Sequence, residues 1–204
     1  MIKKNAISQF YRVFEIFAKN YKPIPLEAFT EPYEALVSAL LSSRTNDDTT
    51  HPAAKRLFKT APDVNSLEQL GQLKIRNLIY PVGFYKTKAK NLKKMAGIIS
   101  EVHEGRIPDT LEALTTLPGV GRKTANIVLV RSFGKDAISV DTHVHRISNA
   151  LGWVNTKTPE QTERELMRIL PKSHWRDVNR LFVSIGRQHR TQKKLEEFLR
   201  RNGL

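Results

Sequence analysis

Apolar side chains recur at three- and four-residue spacing along nearly the whole chain, a period that leaves room for little besides α-helices. Ile7, Phe10, Tyr11, Phe14, Phe17 and Ala18 form one stripe, and Tyr33, Leu36, Val37, Leu40 and Leu41 a second. Leu92, Met95, Ala96, Ile99 and Val102 form a third. Leu166, Met167 and Leu170, then Trp175, Val178, Leu181, Phe182 and Ile185, continue the pattern toward the C-terminus. The helix expected from Pro159 carries its own start signals: Thr158 suits the N-cap, Pro159 the first helical position and Gln161 the return bond of a capping box. Only Ala137-Ile138-Ser139-Val140 reads as extended, and it is too short to found a sheet. The expected fold class is all-α.

Breakers divide the pattern into short helices. They are Lys22-Pro23-Ile24-Pro25, Pro81-Val82-Gly83, Pro108-Asp109, Pro118-Gly119 and Gly134-Lys135-Asp136. No linker is long enough, or rich enough in Gly and Ser, to separate independent modules. Internal repeats and low-complexity tracts are absent from the sequence. At 204 residues the chain can bury a sizeable core. No run of about 18 apolar residues is present, so a membrane-spanning helix is not expected. Met1-Ile2-Lys3-Lys4-Asn5 leads into an amphipathic segment rather than a secretory signal, which points to the cytoplasm, at the nucleoid if the cell is prokaryotic.

Charge narrows the partners. Lys plus Arg number 34 against 20 Asp plus Glu, a formal net charge of +14. A basic domain of this size gathers near polyanions, and nucleic acid leads over acidic membrane surface or acidic protein. Cysteine is absent, which excludes disulfides, thiolate nucleophiles, cysteine-ligated zinc and iron–sulfur clusters.

The most informative stretch is Thr116-Leu117-Pro118-Gly119-Val120-Gly121-Arg122-Lys123-Thr124-Ala125-Asn126. An apolar helix bearing Leu111, Leu114 and Leu117 meets a Pro-Gly-Val-Gly turn, and a second helix starts at once. The glycines allow positive φ and a close backbone approach. The turn then presents amide N–H groups beside a helix N-terminus, an anion site by geometry and dipole, with Arg122 and Lys123 as added cations. A phosphodiester suits such a surface. The plainer reading is a tight corner between two helices.

Lys123 has two possible tasks. It sits in the first turn of its helix, where the dipole and Arg122 disfavour an ammonium, and an amine so placed can attack an aldehyde-like carbon to form a Schiff base. It can equally be one more phosphate contact. Farther on, Val140-Asp141-Thr142-His143-Val144-His145-Arg146 places an acid before another helix. Asp141 reads either as that helix's N-cap or as a carboxylate that holds a proton or steadies a nearby cation. His143 and His145, two apart on a helix, do not face one another, so no metal is expected there.

These residues resemble the helix-hairpin-helix DNA glycosylases, in their endonuclease III branch. The resemblance is carried by Leu117 to Asn126 followed by Val140-Asp141-Thr142-His143, and extends to Ala39–Asp47, Val82–Ala89 and Phe182–Arg187. It implies two helical lobes, residues 25–135 in the centre and residues 1–24 with 136–204 in the other, with an active-site cleft between them. It implies a monomer that flips a damaged base, usually an oxidised pyrimidine, out of double-stranded DNA, or acts on an abasic site. By the same match Lys123 attacks C1′ and forms a Schiff base, β-elimination nicks the strand, and Asp141 assists the lysine. The hairpin residues Leu117, Pro118, Gly119, Val120, Gly121 and Arg122 grip the backbone, often with a monovalent cation. Arg44 and Phe84 fall where the family fills the gap left by the flipped nucleotide, and His143 and Arg187 lie in further DNA-contacting motifs. Phe84 also reads as a core aromatic.

Two departures from the family stand out. Arg44 occupies a position where many members carry Gln, which bears on the opposite base. The family's four cysteines for a [4Fe–4S] cluster have no counterpart in Arg187–Arg201, so no cofactor is expected. There Leu195, Phe198 and Leu199 suggest a docked amphipathic helix, a solvated basic tail being the alternative. Three functions are compatible with these features: a glycosylase with AP-lyase activity, a T·G or U·G mismatch glycosylase, and a non-catalytic DNA-binding module.

Overall fold

A computed structural model describes the backbone of residues 4–204 and the side chains from Ser8 onward. Ile7 of the first stripe, and the N-terminal residues Met1 to Lys3, lie outside the side chains described. Among the described residues the regular structure is twelve α-helices and two short 3-10 turns, with no strand. The Ala137–Val140 stretch is irregular chain that buries Ile138 and Val140. No helix among the described residues is long and apolar enough to cross a membrane.

The chain divides into two compact units. The central one, Pro25–Lys135, holds α2 (Pro32–Ser42), α3 (Asp47–Thr60), α4 (Val64–Gln69), α5 (Gln72–Ile79), α6 (Tyr85–His103), α7 (Leu111–Thr116) and α8 (Arg122–Phe133). Its hub is α2, which buries Tyr33 and every residue from Ala35 to Leu41 and packs on α3, α6 and α8. A helix so apolar on all sides can only lie inside. Around it, Asn46, Asp63 and Thr110 cap α3, α4 and α7 through side-chain oxygens that accept backbone N–H bonds. Each such cap stabilises its helix by about 1 kcal/mol.

The second unit joins the chain up to Ile24 with Asp136–Leu204. It comprises α1 (Lys4–Lys19), α9 (Thr142–Ala150), α10 (Pro159–Ile169), α11 (Trp175–Gln188) and α12 (Gln192–Arg201). Phe10, Val13, Phe14 and Phe17 of α1 pack with Val144 and Ile147 of α9, Val178, Phe182 and Ile185 of α11, and Leu195 and Leu199 of α12 in one core. The rings of Phe17 and Phe182 meet edge-on at 5.0 Å, both fully buried. Truncating either to Ala removes about 3–5 kcal/mol of stability.

Several stripe residues lie outside the core. Tyr11 is 51% exposed and Val102 67%, while Met167 is also exposed. Tyr11 instead meets His174 edge-on at 4.6 Å. The capping box expected at α10 is shifted: Thr158 accepts from the Gln161 N–H, but the Gln161 side chain accepts from Lys157 rather than from the cap residue. The basic C-terminal stretch is a helix and not a tail. α12 starts at a Thr191 cap and buries Leu195 and Leu199, with Lys193, Lys194, Arg200 and Arg201 outside.

Candidate active site

The Pro-Gly-Val-Gly segment is a β-turn, with the Val120 N–H donating to the Leu117 carbonyl at 3.1 Å. Pro118 takes the second place and Gly119, at φ +82°, the third, the arrangement of a type II turn. A Cβ at Gly119 would also stand 2.7 Å from Nδ2 of Asn91 on α6. Gly119 is thus required twice, by φ and by space. Gly121 differs: its φ is −97°, and a Cβ there would meet nothing within 4 Å. The expectation of positive φ therefore holds at Gly119 alone. What Gly121 leaves is open ground in front of α8, which begins with no side-chain cap.

Leu117 and Val120 bury their side chains and so offer a ligand only their backbone. Arg122 is exposed, and Lys123 is half-buried at the second position of α8, where the positive end of the helix lies. Asp141 belongs to the other unit and is the N-cap of α9. Its Oδ1 accepts the N–H bonds of His143 and Val144, both at 2.9 Å. The capping task therefore occupies one carboxylate oxygen, Oδ1.

Arg44 and Phe84 come together in the central unit. Both are exposed non-glycine residues with left-handed backbone, φ 54° and 57°, and the Arg44 guanidinium lies 4.6 Å from the centre of the Phe84 ring. Phe84 is 57% exposed, so it is not a core aromatic. Left-handed backbone at a large side chain costs about 1–3 kcal/mol and persists only where its surroundings enforce it. One such constraint is Gly83, where a Cβ would lie 2.9 Å from the Arg44 carbonyl oxygen. The two loops pass too closely for any other residue.

Lys88, which lies in the Val82–Ala89 motif but had no role assigned from the sequence, holds those loops. Its ammonium donates to the carbonyls of Leu41 at 2.8 Å and Ser43 at 2.6 Å, and to the Thr45 hydroxyl at 3.1 Å. It is only 7% exposed. Burial, together with the like charge of Lys123, brings its pKa down to about 8. A signal for it was available in the sequence: Lys88 stands one turn before Leu92, inside the apolar stripe of α6, where a lysine needs a reason.

In the second unit His143 packs on α11, where a Cβ at Gly186 would collide with its imidazole ring. Arg187 comes next, at the end of α11. His145 turns elsewhere, its Nδ1 lying 2.7 Å from the Thr162 hydroxyl. Arg146 donates to the carbonyls of Gly186 and His189, closing the end of α11, and the His189 ring stacks on Phe198 of α12 at 4.5 Å.

The model of the HhH-GPD superfamily of base excision DNA repair proteins matches residues 37–172. The endonuclease III of Thermotoga maritima is 45% identical over 172 residues, 84% of this chain and 78% of that protein. The chain belongs to the endonuclease III family. Two solved structures bear out the all-helical fold. A non-covalent endonuclease III–DNA complex superposes with a TM-score of 0.83 at 30% identity, covering 91% of this chain and 88% of the other. A trapped endonuclease III–DNA covalent intermediate, an estranged-adenine complex, gives 0.80 at 29% identity over the same shares. The [4Fe–4S] cluster common in the endonuclease III family does not fit this member. The chain has no cysteine, the described residues hold no cluster of three metal-ligating side chains, and the corresponding stretch is α12 with its leucines buried.

Proposed function

We propose that this protein is a bifunctional DNA glycosylase and AP lyase that removes oxidised pyrimidines from duplex DNA. The observation that carries the reading is Lys123 at the uncapped, glycine-cleared start of α8, in a chain of the endonuclease III family. The target nucleotide leaves the stack because its C1′ is out of reach inside it. Lys123 Nζ then bonds to C1′ as the glycosidic bond breaks, and the base departs with the electron pair and takes up a proton. Loss of a proton from nitrogen and opening of the sugar ring give the Schiff base. Removal of a C2′ proton then expels the 3′ phosphate, and hydrolysis frees the lysine. Asp141 steadies the positive charge that develops on the sugar and takes the proton in transit.

The hairpin from Leu117 to Arg122 holds backbone phosphates through its amides and the Arg122 guanidinium, and its backbone carbonyls would be the ligands of a monovalent cation bound there. Arg44 and Phe84 fill the gap in the stack, an apolar ring as wedge and a guanidinium able to bond the orphaned base. His143 and Arg187 add contacts to DNA. The work is done where the chromosome is, in the cytoplasm or nucleoid. A panel of single-lesion duplexes, scored separately for base release and strand cleavage, tests the reading. Thymine glycol should be released and the strand cut, and borohydride should trap a covalent adduct that disappears in Lys123→Ala. Dominant turnover of a T·G mismatch would replace the substrate class. An undiminished adduct in Lys123→Ala would remove this lysine from the mechanism, and binding without release or cleavage would leave a DNA-binding module.

A further inference from the structure

Thr45 makes Lys88 part of a closed network. Its hydroxyl accepts from Lys88 Nζ and from the Gly83 N–H, both at 3.1 Å, and donates to the Ser43 carbonyl at 3.4 Å. A hydroxyl has one proton and two lone pairs, so Thr45 is fully used. The three N–H groups of Lys88 are likewise consumed by Leu41, Ser43 and Thr45. The network thus ties the 41–45 turn to the backbone that immediately precedes Phe84. Arg44 sits inside one half of the tie and Phe84 directly after the other, both in left-handed backbone. Among the described residues no hydrogen bond holds either side chain in place; their positions are set by the loops that carry them.

We propose that Lys88 is the positioning residue for Arg44 and Phe84, locking through Thr45 the two strained loops that set both side chains in the gap of the DNA stack. A lysine serves where an apolar residue would not, because two carbonyls and a hydroxyl converge on one buried point and need three donors there. The proposal rests on the gap-filling role given above to Arg44 and Phe84.

The test uses the full chain, single-turnover excision of thymine glycol, and 2-aminopurine fluorescence as the measure of base extrusion in a Lys123→Ala background. Lys88→Met and Thr45→Val should each slow excision about tenfold to a hundredfold, as displaced positioning groups do. Each should lower the extruded fraction at saturating protein, with the helical circular-dichroism spectrum and binding to undamaged duplex retained. In an Arg44→Ala/Phe84→Ala background the same changes should cost less than about threefold more, because the residues they position are gone. Lys88→Arg, which restores a donor, should recover part of the rate. Should Lys88→Met not fold, Thr45→Val decides alone. Full additivity in the double-alanine background, or excision at the wild-type rate in the variants, overturns the role of Lys88 while leaving the glycosylase intact. A wild-type protein that neither excises nor traps overturns the underlying reading and this one with it.

Discussion

Asp141 caps α9, and the proposed mechanism gives the same side chain a second task in the chemistry. Asn caps a helix about as well as Asp, so Asp141→Asn should leave the melting temperature nearly unchanged. It removes the charge that the proposed mechanism uses, and single-turnover base release should fall on the order of 10³-fold, about 4 kcal/mol of barrier. Asp141→Ala should lose the cap as well and destabilise the protein by about 1 kcal/mol, read by thermal denaturation. The sequence disclosed the capping role of this residue, because an acid before a helix start is a local pattern. The role of Lys88 escaped notice for the opposite reason: its partners lie 43 to 47 residues away in the chain, and only folding brings them to one point.

Among elements, the hairpin makes the sharpest contrast. Gly119→Ala forces a side chain into left-handed backbone and against Asn91, and should destabilise the central unit by about 1–3 kcal/mol. Gly121→Ala meets nothing in the protein and should melt like the wild type, yet bind abasic-site duplex more weakly if, as proposed, a phosphate sits on the open ground its methyl would take. Urea denaturation and fluorescence anisotropy separate the two. The pairing of Pro118 with Gly119 made the turn readable from sequence; the difference between the glycines was not, because it depends on Asn91 arriving from α6.

The docking of α12 carries a pH signature. Burial foremost, then the charges of Arg146, Lys194 and Lys22, hold the His189 pKa below the usual histidine value. As pH falls through about 6.5 the unfolded chain binds a proton that the folded one refuses, so stability is present above that pH and lost below it. The urea midpoint should therefore drop between about pH 7 and 5.5, and His189→Gln should flatten that part of the profile. That a helix forms here was an open alternative in the sequence, where Leu195, Phe198 and Leu199 competed with the flanking run of Lys and Arg. The aromatic surface of His189 and the buried core of α1 and α11 decide it.

At the scale of the whole molecule, the +14 net charge sets how the protein meets DNA. If the hairpin and the basic faces neutralise about five phosphates, a plot of log affinity against log salt should have a slope of roughly −4 to −5. Titrations on undamaged duplex between low and physiological salt measure it, and a flat response would contradict backbone gripping. Fold class was legible throughout because helical periodicity is a short-range property. The membership of each unit rested on family likeness, since no composition shift marks Ile24 or Asp136.

One unit draws on both ends of the chain, and this orders events during synthesis. The central unit is contiguous and can condense while the ribosome is still adding residues 136–204. Phe10, Val13, Phe14 and Phe17 have no such option: their partners in α11 and α12 follow the whole central unit. At roughly 5–20 residues per second, the wait from Asp136 to Leu199 lasts several seconds. For that interval the nascent protein shows an aromatic helix to solvent, and a chaperone that shields such surfaces would find its client there.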